Sequence, residues 1–184
     1  MAKAKTRKPA RKAPKKAAAK TAKAAKVRTI PEGYYTCTPY LVIRGAANAI
    51  DFYKRAFGAT ERGRMPGPGG LLMHAEITIG NSIVMICDEM PQMQRWLSPD
   101  SLNGTTAAVH LYVDDVDAVF ARAISAGAKP SLPPMDMFWG DRFGKLTDPF
   151  GHEWTVATHK HDYTPEEMRR NSDAFFAQMQ KQPG

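Results

Sequence analysis

The chain has 184 residues, with 26 Lys and Arg against 18 Asp and Glu and a formal net charge of +8, a length that suits one domain with an appendage. Residues 1–28 hold 12 of the basic residues and no acidic one, so the remainder carries 14 basic and 18 acidic residues, a balance of −4. No window approaches the roughly 20 apolar residues of a membrane span, the N-terminus lacks the apolar stretch of a secretory signal, and Cys37 and Cys87 show no CxxC spacing; together these point to a cytoplasmic protein whose cysteines are reduced, buried small hydrophobes.

Residues 1–30 are Lys-, Ala- and Pro-rich without an aromatic, so they cannot bury enough apolar surface to offset the entropy of ordering and are expected to be disordered. Lys3, Lys5, Arg7, Lys8, Arg11, Lys12, Lys15 and Lys16 are candidates for nonspecific contact with DNA or RNA through counterion release; a solvated, solubilising extension is the rival reading. TCTPYLVIRG, 36–45, is rich in strand formers. Ala46, Ala49, Ile50, Tyr53 and Phe57 then recur at helical spacing before Gly58. A short strand over 60–64, a MPGPGG loop and two strands meeting at Asn81-Ser82 complete a β-α-β-β-β order. CDEMPQMQRWLSPD, 87–100, joins this unit to the next, either as an adaptable lid over a pocket or as an ordered linker.

The order then repeats. A strand over 106–115 leads to a helix capped by Asp115, with Val116, Val119, Phe120, Ala123 and Ile124 on one face and Gly127 at its end. Strand-like segments follow over 128–132, between the turn-forming pieces Gly140-Asp141 and Asp148-Pro149-Phe150-Gly151, and over 153–158. Ile43 and Val113, Gly58 and Gly127, and Gly80 and Gly151 are each separated by about 70 residues, an internal repeat. One helix on one half-buried sheet is too little to fold alone, so the two copies are expected to pack as paired sheets around a cleft. Thr164, Pro165 and Glu167 form a capping box for a C-terminal helix, whose Met168, Phe175, Phe176 and Met179 side suits docking or a dimer contact.

The segments TCTPYLVIRGAANAIDFYKRAFGA, MHAEITIGNSIVMICDE, VHLYVDDVDAVFARAISAGA and FWGDRFGKLTDPFGHEWTVATH resemble the glyoxalase/bleomycin resistance superfamily, also called vicinal oxygen chelate proteins, and within it the PhnB-like branch, over about residues 35–161. The resemblance implies an α+β fold of two βαβββ modules, 35–90 and 105–161, within a domain over 31–161 followed by the helix in 162–184, and usually a homodimer. It also implies a cleft holding a divalent metal, with ligands from the first and last strands of each module. Those positions fall here on Thr38, Ala108, Thr155 and the run Ile83 to Ile86, none a good ligand, so the familiar site is expected to be absent.

Strand alternation places Thr36, Thr38, Tyr40 and Val42, then Leu72, His74 and Glu76, then Ala108, His110 and Tyr112, then Glu153, Thr155, Ala157 and His159 toward the cleft. Among these, His74, Glu76, His110 and Glu153 have the chemistry of a displaced site for Zn, Ni, Mn or Fe, which would suit a metal-dependent lyase, isomerase or dioxygenase. Without metal, Glu76 or Glu153 can serve as a general base if an apolar cleft raises its pKa, with His110 or Tyr112 donating to an oxyanion. Trp139 and Arg142 offer stacking and a bidentate contact to a planar or anionic ligand, against a surface pair of Asp141 with Arg142 under a core-capping Trp139. Asp148-Pro149-Phe150-Gly151 is chiefly a turn. Binding of a small organic molecule by Tyr40, His74, Tyr112, Trp139, Arg142 and Thr155 is the leading reading, with a metal-dependent enzyme or a DNA-associated protein as alternatives.

Overall fold

The computed structural model describes residues 27–93 and 95–181. Apart from residues 27–30, the tail and its nucleic-acid candidates Lys3 to Lys16 lie outside the described residues. The first module runs β1 (Tyr40–Ile43), α1 (Ala46–Phe57), β2 (Thr60–Pro66), β3 (Leu72–Ile79) and β4 (Ser82–Asp88). A linker containing the short helix α2 (Pro99–Leu102) leads to β5 (Ala108–Tyr112), α3 (Val116–Ala126), β6 (Lys129–Asp136), β7 (Asp141–Thr147) and β8 (Glu153–His159), and then to α4 (Pro165–Met179). The strands form two four-stranded sheets of matching order, β1-β4-β3-β2 and β5-β8-β7-β6. The expected α+β pair of βαβββ modules is therefore the observed fold. Pro130, Pro133 and Pro134 are accommodated in β6 because it is an edge strand with an irregular register.

Each helix covers one face of its sheet, and the two covered faces join in a single core. Tyr53 and Phe57 of α1 lie 5.2 and 4.6 Å from the ring of Trp154 in β8, while Arg122 of α3 donates to the Ala56 carbonyl at 2.9 Å. Acidic side chains close the local ends. Asp88 accepts from the amides of Gly45, Ala46 and Leu72 at 2.7–2.9 Å, supplying the start of α1 with the cap that Gly45 lacks. In the second module Asp115 caps α3, and Thr158 accepts from the Val116 amide at 2.9 Å. The α4 capping box forms through Thr164 and Glu167 as expected.

Three local expectations are corrected. Thr36 and Thr38 precede β1 rather than belonging to it, and Cys37 beside them is exposed; Cys87 is buried. Leu72 is packed in the core while Met73 is only half-buried, because the β2–β3 register shifts between Met65 and Pro66 and breaks the alternation at the start of β3.

His152 ties the modules across their seam. Its Nε2–H donates to the Val42 carbonyl of β1 at 3.2 Å, and burial outweighs the neighbouring Asp148 and Asp100 to hold its pKa below the ordinary 6.5. The unfolded chain therefore takes up this proton first, so the contribution of His152 is complete above about pH 6.5 and is lost as pH falls below it. Urea melts of the native chain and of His152→Gln should diverge above pH 6.5 and converge on acidification; parallel curves would show that the bond does not titrate with folding.

Candidate functional site

The helix-free face of each sheet is open to solvent, and the two meet at a cleft of about 870 Å³ bordered by Tyr40, Val42, Ala108, His110 and Glu153, with Leu97 and Leu102 of the linker beside it. On the first face Tyr40 and the His74 Nδ1 share a hydrogen bond of 3.1 Å, His74 Nε2 lies 3.2 Å from Glu76, and Arg62 donates to Glu76 at 3.3 Å. Burial pushes the Tyr40 phenol up to about 12, so it stays a proton donor through the neutral range. Trp96 of the linker meets the Tyr40 ring edge-on at 5.3 Å.

The second face is built in rows, because β8 sits between β5 and β7 and every second residue points outward. One row is Ala108, Glu153 and Thr147; the next is His110, Thr155 and Lys145; the third is Tyr112, Ala157 and Phe143; and the last pairs His159 with Asp141. In the second row His110 Nδ1 lies 2.7 Å from the Thr155 hydroxyl. The His110 ring contacts Tyr112 at 4.6 Å and lies parallel to Phe143 at 6.2 Å, with Trp139 a further 5.7 Å from Phe143. The result is an aromatic floor closing over Ala157, which is fully buried.

At the margin of that floor Asp141 is 5% exposed. Its Oδ2 accepts from Trp139 Nε1 at 3.0 Å and the Tyr112 hydroxyl at 3.2 Å, and its Oδ1 lies 2.6 Å from His159 Nδ1. The Asp141 carboxylate raises the Tyr112 phenol above its usual value.

The residues singled out from sequence thus divide into separate groups. His74 and Glu76 are together; His110 is with Thr155; Glu153 is held by Thr147 at 2.7 Å, with Lys145 3.0 Å from its Oε2. Among the described residues no group of three or more His, Cys, Asp or Glu is placed to hold a metal ion, so His74, Glu76, His110 and Glu153 do not come together as the displaced centre considered above. The carboxylates also depart from what a general base requires. The Tyr34 hydroxyl, His74 and Arg62 hold Glu76 below the usual range; burial pushes Glu153 up, but Thr147 and Lys145 outweigh it and leave it lowered.

Arg142 does not pair with Asp141 and does not share the face of Trp139. Alternation along β7 sends it toward α3, where it makes a two-pronged contact with Asp117 at 2.6 and 2.8 Å and another with Asp136 at 3.3 Å. Phe143 and Arg62 are site residues that sequence reasoning did not single out; Asp141 entered it only as a surface partner of Arg142, Trp96 as part of the 87–100 linker or lid, and His159 as one of the outward positions.

A family model described as the Glyoxalase/Bleomycin resistance protein/Dioxygenase superfamily matches residues 36–156. The chain belongs to this superfamily. An uncharacterized protein of Mycobacterium bovis is 46% identical over 134 residues, covering 72% of this chain and 88% of its own length. TioX from Micromonospora sp. ML1 shares the fold with a TM-score of 0.54 and 28% identity, covering 71% of this chain and all of that one. A PhnB protein of Bacillus cereus gives a TM-score of 0.53 over 67% of this chain and 99% of its own, at 18% identity, a likeness of fold alone. Within the superfamily frame, the positions that carry metal ligands by resemblance are Thr38, Ala108 and Thr155 here; Thr38 bonds to the Tyr35 carbonyl and Thr155 to His110. The residues at those positions do not fit a metal.

Proposed function

We propose that this superfamily member binds a small, planar organic molecule in the cleft between its modules, against the aromatic face of the second. The observation that carries the reading is the floor of His110, Tyr112, Phe143 and Trp139, in which Tyr112 is 65% exposed although it is a large aromatic. A ring laid on such a surface gains offset or edge contacts, while Thr155, Lys145 and the Asp141–His159 pair supply polar groups at its edge. His110 belongs to both the cleft and the floor.

Saturation-transfer NMR with a panel of one- and two-ring phenols and aromatic carboxylates tests this. Tyr112→Ala and Phe143→Ala should each weaken a bound ring by about ten-fold, from the roughly 1–1.5 kcal/mol of an aromatic contact. Arg142→Ala should leave affinity unchanged, since Asp117 and Asp136 already engage its guanidinium. A panel with no binder, or binders indifferent to both aromatic variants, would sink the reading. A second copy of the chain suits the exposed Phe176 and Met179 of α4 and the open sheet faces, and sedimentation of the full chain tests a homodimer.

A second reading concerns residues 1–28. The segregation of 12 basic residues from a body with a negative balance supports nonspecific nucleic-acid binding by the arm, independently of the cleft. The full chain should bind a DNA duplex at low salt and lose about 10³–10⁵ in affinity between ~50 and ~200 mM salt. A chain lacking residues 1–28 should not bind; equal binding by the shortened chain would remove the arm from consideration.

A further inference from the structure

We propose that Asp141 and His159 form an acid–base pair that exchanges a proton with an ionisable hydroxyl, phenolic or enolic, of the ligand lying on the aromatic floor. This rests on the reading of that floor as a binding surface and goes beyond it by assigning chemistry to its margin. The two residues are register partners on β7 and β8, so both point to the open face, one row beyond Tyr112, Ala157 and Phe143.

The choice of partner for the buried carboxylate is the informative feature. Asp141 sits next to an arginine in sequence, yet strand alternation turns Arg142 to the other face, where Asp117 and Asp136 take it up. Among the described residues the ion-pair partner of Asp141 is His159 alone. A carboxylate meant only to be neutralised is served best by a permanent charge; this one is matched with a group that ionises near neutrality. Trp139 and Tyr112 both donate to Oδ2, which leaves Oδ1 to receive Nδ1–H of the imidazole and fixes its tautomer and ring orientation.

The other nitrogen is the working end. His159 is half-exposed, and its Nε2 lies 3.0 Å from Asp162, a fully exposed residue whose contact a ligand can displace. Asp141 and Asp162 hold the imidazole above its ordinary pKa, which favours its protonated, donating form. In the transfer, the Nε2–H bond breaks and an O–H bond forms on an enolate or phenolate oxygen; the imidazolium becomes neutral imidazole and Asp141 remains a carboxylate. The reverse step takes the proton from a hydroxyl, and no redox partner is involved. His159 is the residue that touches the ligand, and Asp141 positions it.

The probe is 4-nitrophenol, whose absorbance reports its own ionisation. Bound to the full chain, the probe should lose its proton more readily, its phenolate-to-phenol ratio at fixed pH rising about ten-fold or more over free probe, the size of shift that a neighbouring opposite charge produces. His159→Gln should retain the probe but abolish the rise, and Asp141→Asn should diminish it while lowering the His159 pKa measured by NMR titration. If Asp141→Asn does not fold, His159→Gln decides alone, since its side chain is half-exposed. Binding without a rise, or a rise that survives in His159→Gln, would overturn the acid–base pair and leave the floor intact as a binding surface. Failure of the native chain to bind any phenol would remove the floor as a binding surface and the pair with it.

Discussion

Replacing Asp148 by Ala should cost about 3–5 kcal/mol of stability, from the loss of a buried charge on which several donors converge. The Asp148 carboxylate, almost fully buried, accepts from the Tyr53 hydroxyl at 2.7 Å and from Trp154 Nε1 and the amides of Phe150 and His152 at 2.9 Å. Burial, together with the carboxylate itself, pushes the Tyr53 phenol well above its ordinary value, so it remains protonated and donating. Truncation leaves four donors without their acceptor, of which the Tyr53 hydroxyl and Trp154 Nε1 are buried. The melting temperature should fall by roughly 10 °C. Tyr53→Phe removes one donor and leaves the acceptor to the other three, and should cost only about 1 kcal/mol. If denaturant unfolding finds the two variants equally destabilised, the convergence of donors is not what makes Asp148 matter.

Gly140→Ala should rank next, at about 2–5 kcal/mol, combining a strained backbone with overpacking. Gly140 has φ +102, and a Cβ there would meet the carbonyl of His161 well inside contact distance. The obstruction is backbone and cannot swing aside. The same residue accepts from the amides of Lys160 and His161 at 2.9 and 3.0 Å, so it joins the turn before β7 to the exit of β8. Relief of the clash has to move that exit, and with it the Asp141–His159 contact. Unfolding free energy and the His159 NMR titration should therefore change together. A variant within about 1 kcal/mol of the native chain with an unaltered titration would show that the segment after His159 yields freely.

The modular repeat, both module helices and the α4 cap were legible because each depends on local signals: apolar spacing, a capping side chain, a glycine at a helix end. The open-face residues were legible wherever strand alternation holds, as for Tyr40, His74, His110 and Tyr112, and failed at Leu72, where a register shift that no local pattern encodes interrupts it. Trp139 and Arg142 illustrate the opposite hazard. Neighbours in sequence read as one recognition element, yet the first bonds to Asp141 while the second reaches α3.

The pairing of Asp141 with His159 is nonlocal but was within reach. The turn at Asp148 to His152 sets Thr147 opposite Glu153, and counting outward brings Asp141 to His159. The stretch that looked like a mere turn therefore sets the register on which the buried carboxylate depends.

The seam has a consequence for the integrity of the chain. Tyr53 and Phe57 come from the first module, Trp154 and Asp148 from the second, so each half contains only part of a core that the other completes. The linker between them is anchored where Glu89 receives the Ser98 amide at 2.8 Å and the Ser101 hydroxyl at 2.7 Å. A cut on the Met90 side of that anchor would leave two fragments that are each other's missing interior. Their reassembly would become bimolecular, and what is now an intramolecular stability would depend on fragment concentration.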